Sequence, residues 1–368
     1  MNIALIISAL LTGGAERQIL LSAAELGRMG HKVDLIIYHP QNEFVDFIRE
    51  NKINLVRISA KGLLRIGRIR ALAKHLQQGG FEVVHAFSGS ASIYAALAGK
   101  LAGVSVIFGG YRVEHKEHGL LAFAHRMIDQ FLTGWIVNSR GIADSMVAAL
   151  GINPQKFFVV HNGIVPEAFQ SELSRDEARH KLGLPESQQV VTKVARLHPQ
   201  KNHRLFLKMA SILLKHRSDV SFLIVGGGLL RSDLEDYAKS LGICDRVLFL
   251  GIRSDIPDIL AATDISVLTS EYEGFPNALI EAMCVGIPVV STNYPGIEEL
   301  IVDDKNGFIV PRNDAESMAA KITQLLDDAD LRKRMGREGM KMVQECLSPA
   351  AMAQNLVSVY KACLNDGG

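Results

Sequence analysis

The sequence has almost no net charge, with 40 Lys and Arg against 39 Asp and Glu. No global basic field therefore exists to draw the chain onto nucleic acid. Cysteine is scarce as well. The four present, Cys244, Cys284, Cys346 and Cys363, all lie in the C-terminal half, without CxxC spacing or paired His ligands. That excludes a zinc ribbon and a disulfide framework, and leaves reduced core thiols of a cytosolic protein as the expectation. No uncharged apolar window approaches the roughly 18 residues that a membrane-spanning helix needs. The uncharged run over residues 2–15 has no Lys or Arg before it, so it reads as a buried strand and a glycine turn rather than a signal peptide. Neither a repeat with a period of about 20–50 residues nor a low-complexity tract occurs, which removes solenoid and array architectures.

What the chain has is apolar material in a regular order. With 48% hydrophobic residues over 368 positions, and domains usually holding about 100–200 residues, two cores are expected. Strand-like runs at residues 3–8, 33–38, 54–58, 83–86, 105–108, 135–137 and 158–161 alternate with amphipathic segments. A second series runs through 190–194, 221–225, 247–250, 265–268, 288–291 and 307–310. This alternation is the pattern of helices covering parallel sheets. Periodicity weakens over residues 165–189, which carry Pro166, Pro185 and a charged run, and the domain boundary is expected there. A closing helix follows Pro349, with Met352, Leu356, Val359 and Tyr360 on one face.

The densest chemistry is Glu273-Gly274-Phe275-Pro276-Asn277-Ala278-Leu279-Ile280-Glu281, after the strand at 265–268. Pro276 suits the first turn of a helix, where its missing N–H is no loss. That sets Glu273 in the loop ahead of the helix and Glu281 in its second turn. First-turn amides offer unpaired donors and a positive dipole end, a site for phosphate. Two carboxylates beside it can accept hydrogen bonds from hydroxyls, so phosphate flanked by polyols, a nucleotide sugar, is the ligand that fits. The bland counterpart is a helix with an acidic first turn.

Arg196-Leu197-His198-Pro199-Gln200-Lys201-Asn202 directly follows the strand at 190–194. Its guanidinium and ammonium either clamp a departing diphosphate or belong to a solvated loop. In Leu11-Thr12-Gly13-Gly14-Ala15-Glu16-Arg17 the glycines either let backbone approach a ligand or make a tight turn without one. The run lacks the G-x-G-x-x-G spacing of a dinucleotide site. Val225-Gly226-Gly227-Gly228-Leu229-Leu230-Arg231 places an arginine where that fingerprint needs its third glycine, so it reads as a turn lining the same crevice.

Taken in order, these pieces resemble the family-4 retaining glycosyltransferases, also called group 1 glycosyltransferases, over nearly the whole chain. The resemblance is carried by Gly13-Gly14-Ala15-Glu16-Arg17, Val137-Asn138-Ser139, His161-Asn162-Gly163, Arg196-Leu197, Lys201-Asn202 and Val225-Gly226-Gly227-Gly228. It continues through Leu250-Gly251, Asp264, Glu273-Gly274-Phe275-Pro276-Asn277, Glu281-Ala282-Met283, Gly286-Ile287-Pro288-Val289-Val290 and Asn306-Gly307.

The resemblance implies an α/β GT-B fold, two Rossmann-like domains facing across a central cleft. The acceptor domain would be residues 1–170 and the donor domain 171–348, with a C-terminal helix at 349–368 crossing back to the N-terminal domain. It implies that Arg196 and Lys201 hold the donor diphosphate, Glu273 the hydroxyls of the transferred sugar and Glu281 the ribose. The backbone of Gly274, Phe275, Pro276 and Asn277 would approach the β-phosphate, Gly226 and Gly251 would line the donor crevice, and Gly13 and Gly14 would approach from the facing domain. The donor would be a nucleoside-diphosphate sugar, UDP-sugar favoured over GDP-sugar, and the acceptor a saccharide or lipid-linked saccharide, with no metal and no further cofactor. The implied mechanism is front-face attack in which a leaving phosphate oxygen takes the acceptor proton, so the protein supplies positioning and electrostatics. A sugar-nucleotide epimerase of the same fold, or a catalytically silent nucleotide-sugar binder, is the alternative.

Many members of that family carry a histidine at the end of the strand equivalent to 105–108. This chain instead reads Gly109-Gly110-Tyr111-Arg112-Val113-Glu114-His115, so either Arg112 or His115 fills the role. Residues 61–74 carry Lys61, Arg65, Arg68, Arg70 and Lys74 with no acid, and Ile66, Ile69, Ala73 and Leu76 between them. This is a basic amphipathic helix, facing either anionic lipid at the inner face of the cell membrane or the core with a solvated basic side. Asp328-Ala329-Asp330 reads as a surface turn rather than a metal site.

Overall fold

The alternation of strands and helices resolves into two units in a computed structural model that describes residues 1–11, 13–59, 66–112 and 120–365. The first unit joins Met1–Gly163 to Pro349–Gly368. Its strands are β1 (Asn2–Ile7), β2 (Lys32–Ile37), β3 (Asn54–Arg57), β4 (Val83–Ala86), β5 (Val106–Tyr111), β6 (Gly134–Val137) and β7 (Phe157–Val159). Among the described residues they form a seven-stranded parallel sheet in the order β3-β2-β1-β4-β5-β6-β7. The order reverses between β1 and β4, a switch point at which a crevice opens beyond the C-terminal strand ends. Side chains alternate across this sheet because the strand period is two. Ile6, Ile36 and Val84 pack under the helices Ile66–Gly79 and Gly89–Ala102 on one face. Ile3, Leu5 and Val83 pack under Gly14–Arg28 and Pro349–Asn365 on the other.

The closing helix belongs to this first unit, burying Met352, Ala353, Leu356 and Tyr360. The Tyr360 hydroxyl lies 2.7 Å from His85 Nδ1 on β4. Gln18 ties the start of the unit to its end by bonding both the carbonyl and the N–H of Gly163, each at 2.8 Å.

The second unit, Ile164–Ser348, holds β8 (Gln189–Val194), β9 (Val220–Val225), β10 (Val247–Gly251), β11 (Ile265–Leu268), β12 (Val289–Thr292) and β13 (Gly307–Val310). They form a parallel sheet in the order β10-β9-β8-β11-β12-β13. The first unit ends seven residues before the expected position 170, because the turn Pro166–Phe169 delivers Phe169 into the second unit's core beside Leu279 and Ile280. The charged run after it is a helix, Arg175–Lys181, started by a capping box between Ser174 and Glu177.

Four further expectations change. β5 continues through Tyr111, so Gly109 and Gly110 are strand rather than loop. A Cβ at Gly110 would collide with the Ala86 carbonyl of the neighbouring strand. Only Cys284 is buried, whereas Cys244 and Cys346 are exposed and Cys363 is half-buried. Asp328 caps the helix Ala329–Cys346, accepting the Leu331 N–H at 2.8 Å, instead of marking a free turn. In the basic helix Ile66 is exposed and Leu72 takes the core position, while Arg68 turns inward, its guanidinium 5.2 and 5.3 Å from the Tyr38 and Tyr94 rings. Lys61 and Arg65 lie outside the described residues.

One buried carboxylate pins the entry of the second unit to its sheet. Asp264 accepts from Arg179 at 2.7 Å, from the Val190 N–H at 2.7 Å and from Arg175. Replacing it with Ala strands the buried Arg179, and breaking a buried pair this way costs about 3–5 kcal/mol. Asp264→Ala should lower the melting temperature by several degrees in calorimetry. A melting profile identical to that of the wild type would refute this assignment.

Candidate functional site

In the second unit the loops after β8, β9, β10 and β11 all leave the same sheet edge, because every strand is parallel. After β8, one 3-10 turn over Pro199–Lys201 leads into Asn202, which sits at φ +43° and caps the next helix by accepting the Leu205 N–H at 3.2 Å. After β11, Thr269 and Ser270 lead to Glu273. These two loops are bound to one another. The Glu271 N–H donates to the Gln200 carbonyl at 2.9 Å, and the Gln200 amide donates to the Tyr272 carbonyl at 2.7 Å.

The two loops bring together Lys201, expected with Arg196 at a diphosphate, and Glu273, expected at the hydroxyls of a sugar. The Lys201 ammonium pairs directly with Glu273 Oε1, and Ser270 Oγ donates to the same oxygen at 2.6 Å. Both side chains are mostly buried, 16% and 10% exposed, so their charges are screened far less than those of a surface pair. Arg196 is exposed and, among the described residues, pairs with no carboxylate. Beneath them lies a lysine that periodicity alone would not single out. Lys193, on β8, is fully buried and donates to Thr269 Oγ1 and to the Lys201 carbonyl. Burial holds its ammonium well below the ordinary lysine value, with Lys201 adding to the effect and Glu273 opposing it. His203 behind it is pushed down to about 3 by burial and by Lys193. It is therefore neutral, and its Nε2, 3.0 Å from the Arg196 carbonyl, carries the proton.

The helix expected to open at Pro276 begins one residue later, at Asn277, with Pro276 as its cap at ψ 76°. Gly274 and Phe275 complete the approach, and Phe275 is buried with Leu279. Glu281, half-buried, stands in the second turn as expected.

The glycines have a different reason. Gly226 has φ +139°, and a Cβ there would strike the Ala195 carbonyl. Its N–H donates to the Gly251 carbonyl at 2.8 Å, and the Leu197 N–H donates to the Gly227 carbonyl at 2.9 Å. The turn after β9 thus braces the Arg196 loop backbone against backbone.

The first unit carries its own cluster at the C-terminal strand ends. Arg112, the residue after β5, donates to Asn162 Oδ1 at 2.8 Å and lies 4.3 Å over the Phe87 ring. Its Nε is buried without a partner, and among the described residues no carboxylate pairs with it. Burial pulls the guanidinium down to about 10. His115 lies outside the described residues. Gly13 caps the helix Gly14–Arg28 in extended conformation, and the Glu16 carboxylate curls back over it into the space a Cβ would take.

Sequence patterns of known families match both units of the chain. The pattern described as Glycosyltransferase Family 4 matches residues 12–168, and that described as Glycosyl transferases group 1 matches residues 174–342. The chain is 31% identical over 269 residues to the UDP-Gal:alpha-D-GlcNAc-diphosphoundecaprenol alpha-1,3-galactosyltransferase of Escherichia coli, a match covering 70% of each chain. It is 30% identical to the Vi polysaccharide biosynthesis protein VipC/TviE of Salmonella typhi, over 68% of this chain and 45% of that protein. Among solved structures, Anabaena HepE in complex with UDP superposes with a TM-score of 0.85 at 21% identity, covering 98% of this chain and 100% of that one. The lipopolysaccharide outer core galactosyltransferase WaaB, in its apo form, gives 0.77 at 20% identity, covering 98% and 99%. At these identities the likeness is one of fold, the two-domain α/β GT-B architecture.

Substituting Gly226 by Ala forces a side chain into a left-handed position already filled by the Ala195 carbonyl. The expected cost is about 1–3 kcal/mol, visible as a lower urea midpoint. An unchanged midpoint would show that the turn does not brace the Arg196 loop.

Proposed function

The chain belongs to the group 1 (family 4) glycosyltransferases, and from that premise we propose that it moves a sugar, with retention of configuration, from a nucleoside-diphosphate sugar to a hydroxyl of a saccharide or lipid-linked saccharide acceptor. Polysaccharide or glycoconjugate assembly at the inner face of the cell membrane is the setting. The observation that carries this reading is the mostly buried Lys201–Glu273 pair at the open edge of a parallel sheet, with the exposed Arg196 beside it. UDP is the favoured carrier, supported by the UDP-Gal in the name of the Escherichia coli relative and by the UDP bound to Anabaena HepE.

In this reading Arg196 and Lys201 bind the diphosphate and stabilise the charge that grows on it as the glycosidic bond breaks. Glu273, anchored by Ser270, accepts hydrogen bonds from the sugar hydroxyls, and Glu281 from the ribose. The backbone from Gly274 to Asn277 approaches the β-phosphate at the helix N-terminus, and Gly226 and Gly251 line the donor side. The acceptor oxygen bonds to the anomeric carbon on the face the phosphate leaves, and its proton passes to a leaving phosphate oxygen. No protein nucleophile, metal or further cofactor takes part. Arg112 or His115 is the first unit's candidate for the role that a histidine plays in many of the family.

Purified protein should be stabilised against heat by one nucleoside diphosphate and its sugars, and should release that diphosphate only when an acceptor is present. Diphosphate release or sugar isomerisation without an acceptor would instead favour an epimerase. Glu273→Ala and Lys201→Ala should each abolish transfer while leaving the fold intact, and full turnover by either would sink the site assignment.

Membrane contact is the second part of the reading. Among the described residues no helix is long and apolar enough to cross a bilayer. Arg70 and Lys74 are exposed on the helix Ile66–Gly79, and Leu121, Phe123 and Met127 are exposed on the helix Leu120–Ile128 of the same unit. Both helices pack on Gly89–Ala102, and exposed cations and apolar groups in one unit suit an anionic lipid surface. The protein should float with phosphatidylglycerol vesicles and not with phosphatidylcholine vesicles, and the Arg70→Glu, Lys74→Glu double variant should lose most of that binding. Equal flotation of the variant would remove these residues from the contact.

A further inference from the structure

The pairing of Lys201 with Glu273 rests on a residue with no part in the transfer steps proposed above. Lys193 comes from β8, and its buried ammonium reaches both loops at once, bonding the Lys201 carbonyl on one side and Thr269 Oγ1 on the other. Thr269 Oγ1 in turn lies 2.9 Å from the Lys201 carbonyl and 2.8 Å from that of Asn202. Ser270, next in the chain, holds Glu273, and Glu273 holds Lys201. These contacts close a circuit: Lys193, the Lys201 backbone, the Lys201 ammonium, Glu273, Ser270, Thr269 and back to Lys193.

Stability does not account for a lysine at the junction. Replacing a buried charge with a well-packed apolar residue of similar volume is often neutral or stabilising. The Phe206 ring, 6.0 Å from the Lys193 ammonium, would border such a residue. Nor does any carboxylate of its own compensate the charge. Among the described residues none lies within ion-pair distance of Lys193, and His203 behind it is neutral. Of the two carboxylates in the facing loop, Glu273 pairs with Lys201 and Glu271 accepts from the Asn202 amide at 2.6 Å, so neither is an ion-pair partner of Lys193. A ligand carrying two or more negative charges completes the balance.

We propose that Lys193 is a positioning residue of the donor site, fixing the Lys201 loop against the Glu273 loop and supplying from beneath a second positive charge for the diphosphate of the donor. The proposal rests on the donor reading above and goes beyond it in naming a residue that never touches the sugar.

Calorimetric titration of the full chain with inorganic pyrophosphate, UDP and uridine separates charge from shape, since uridine lacks the diphosphate. Lys193→Met should melt at or above the wild-type temperature, lose about tenfold in affinity for pyrophosphate and UDP, and keep its affinity for uridine. Its kcat/KM for the donor should fall with it. Thr269→Val, which keeps the ammonium but removes one of its acceptors, should show a smaller loss in the same direction and serves if the methionine variant does not fold. Wild-type affinity for pyrophosphate and UDP in these variants overturns the proposal, and so does a parallel loss of uridine binding, which would mark a collapsed site. Wild-type protein that binds neither UDP nor pyrophosphate overturns the donor reading itself, a result distinct from equal binding by wild type and variant.

Discussion

A parallel sheet can bury both faces only if each strand returns through a helix, and this constraint governs where chemistry can reside in both units. All strand pairs observed in the two sheets are parallel, so every loop that leads from a strand into its covering helix emerges at one edge. There the helices present unpaired N–H groups and the chain is free to carry polar side chains. The interior of each sheet, by contrast, is mainly apolar, with few buried polar side chains such as His85 and Lys193. The candidate site of the second unit is thus a consequence of strand direction: Lys201 and Glu273 are 72 residues apart and meet because β8 and β11 are parallel neighbours.

Within that frame the buried charges divide into two kinds. Asp264 is surrounded by donors, with two guanidinium groups and a backbone N–H satisfying its oxygens. It locks the helix Arg175–Lys181 to β8, and nothing more is needed to explain it. Lys193 and Arg112 are of the other kind. Each is a cation at or beside the C-terminal edge of its own sheet, hydrogen-bonded to neutral acceptors, with no carboxylate against it among the described residues. A desolvated cation left without an anion is costly unless a ligand supplies the counter-charge.

Most of the architecture was legible in the residue pattern, because buried parallel strands read as short unbroken apolar runs. The strands at 83–86, 265–268 and 307–310 coincide with their expected limits, and the others shift by one to three residues. The largest shift, the extension of β5 through Tyr111, involves two glycines that look like loop and are strand: Trp135 fills the space beside Gly109, and the Ala86 carbonyl of β4 that beside Gly110. The domain border lay earlier than expected because Phe169, inside a proline-bearing turn, is a core residue of the second unit. That Lys201 and Glu273 lie at the same sheet edge was readable from their places after strands. Lys193 in Val190-Val191-Thr192-Lys193-Val194 carries a signal of its own, an ionisable residue inside a buried strand. Only the fold shows what its ammonium reaches, since Thr269 is 76 positions away.

The glycines of the second unit show how the same residue type supports two physical readings. A glycine after a strand suggests a ligand pressing on bare backbone, and the turn at Gly226, Gly227 and Gly228 fits that pattern. Yet the space beside Gly226 is filled by the Ala195 carbonyl and that beside Gly228 by Leu197, both from the loop that carries Arg196. The bare backbone is pressed by protein. Its effect on a ligand is indirect, since a loop held from behind by a hydrogen-bonded turn, and from the side by Gln200 and Glu271, presents Arg196 and Lys201 from a nearly fixed backbone. Positioning of this kind lowers the ordering cost when a charged ligand arrives. It is what a reaction that relies on electrostatic stabilisation of a leaving group, rather than on a protein nucleophile, requires of its scaffold.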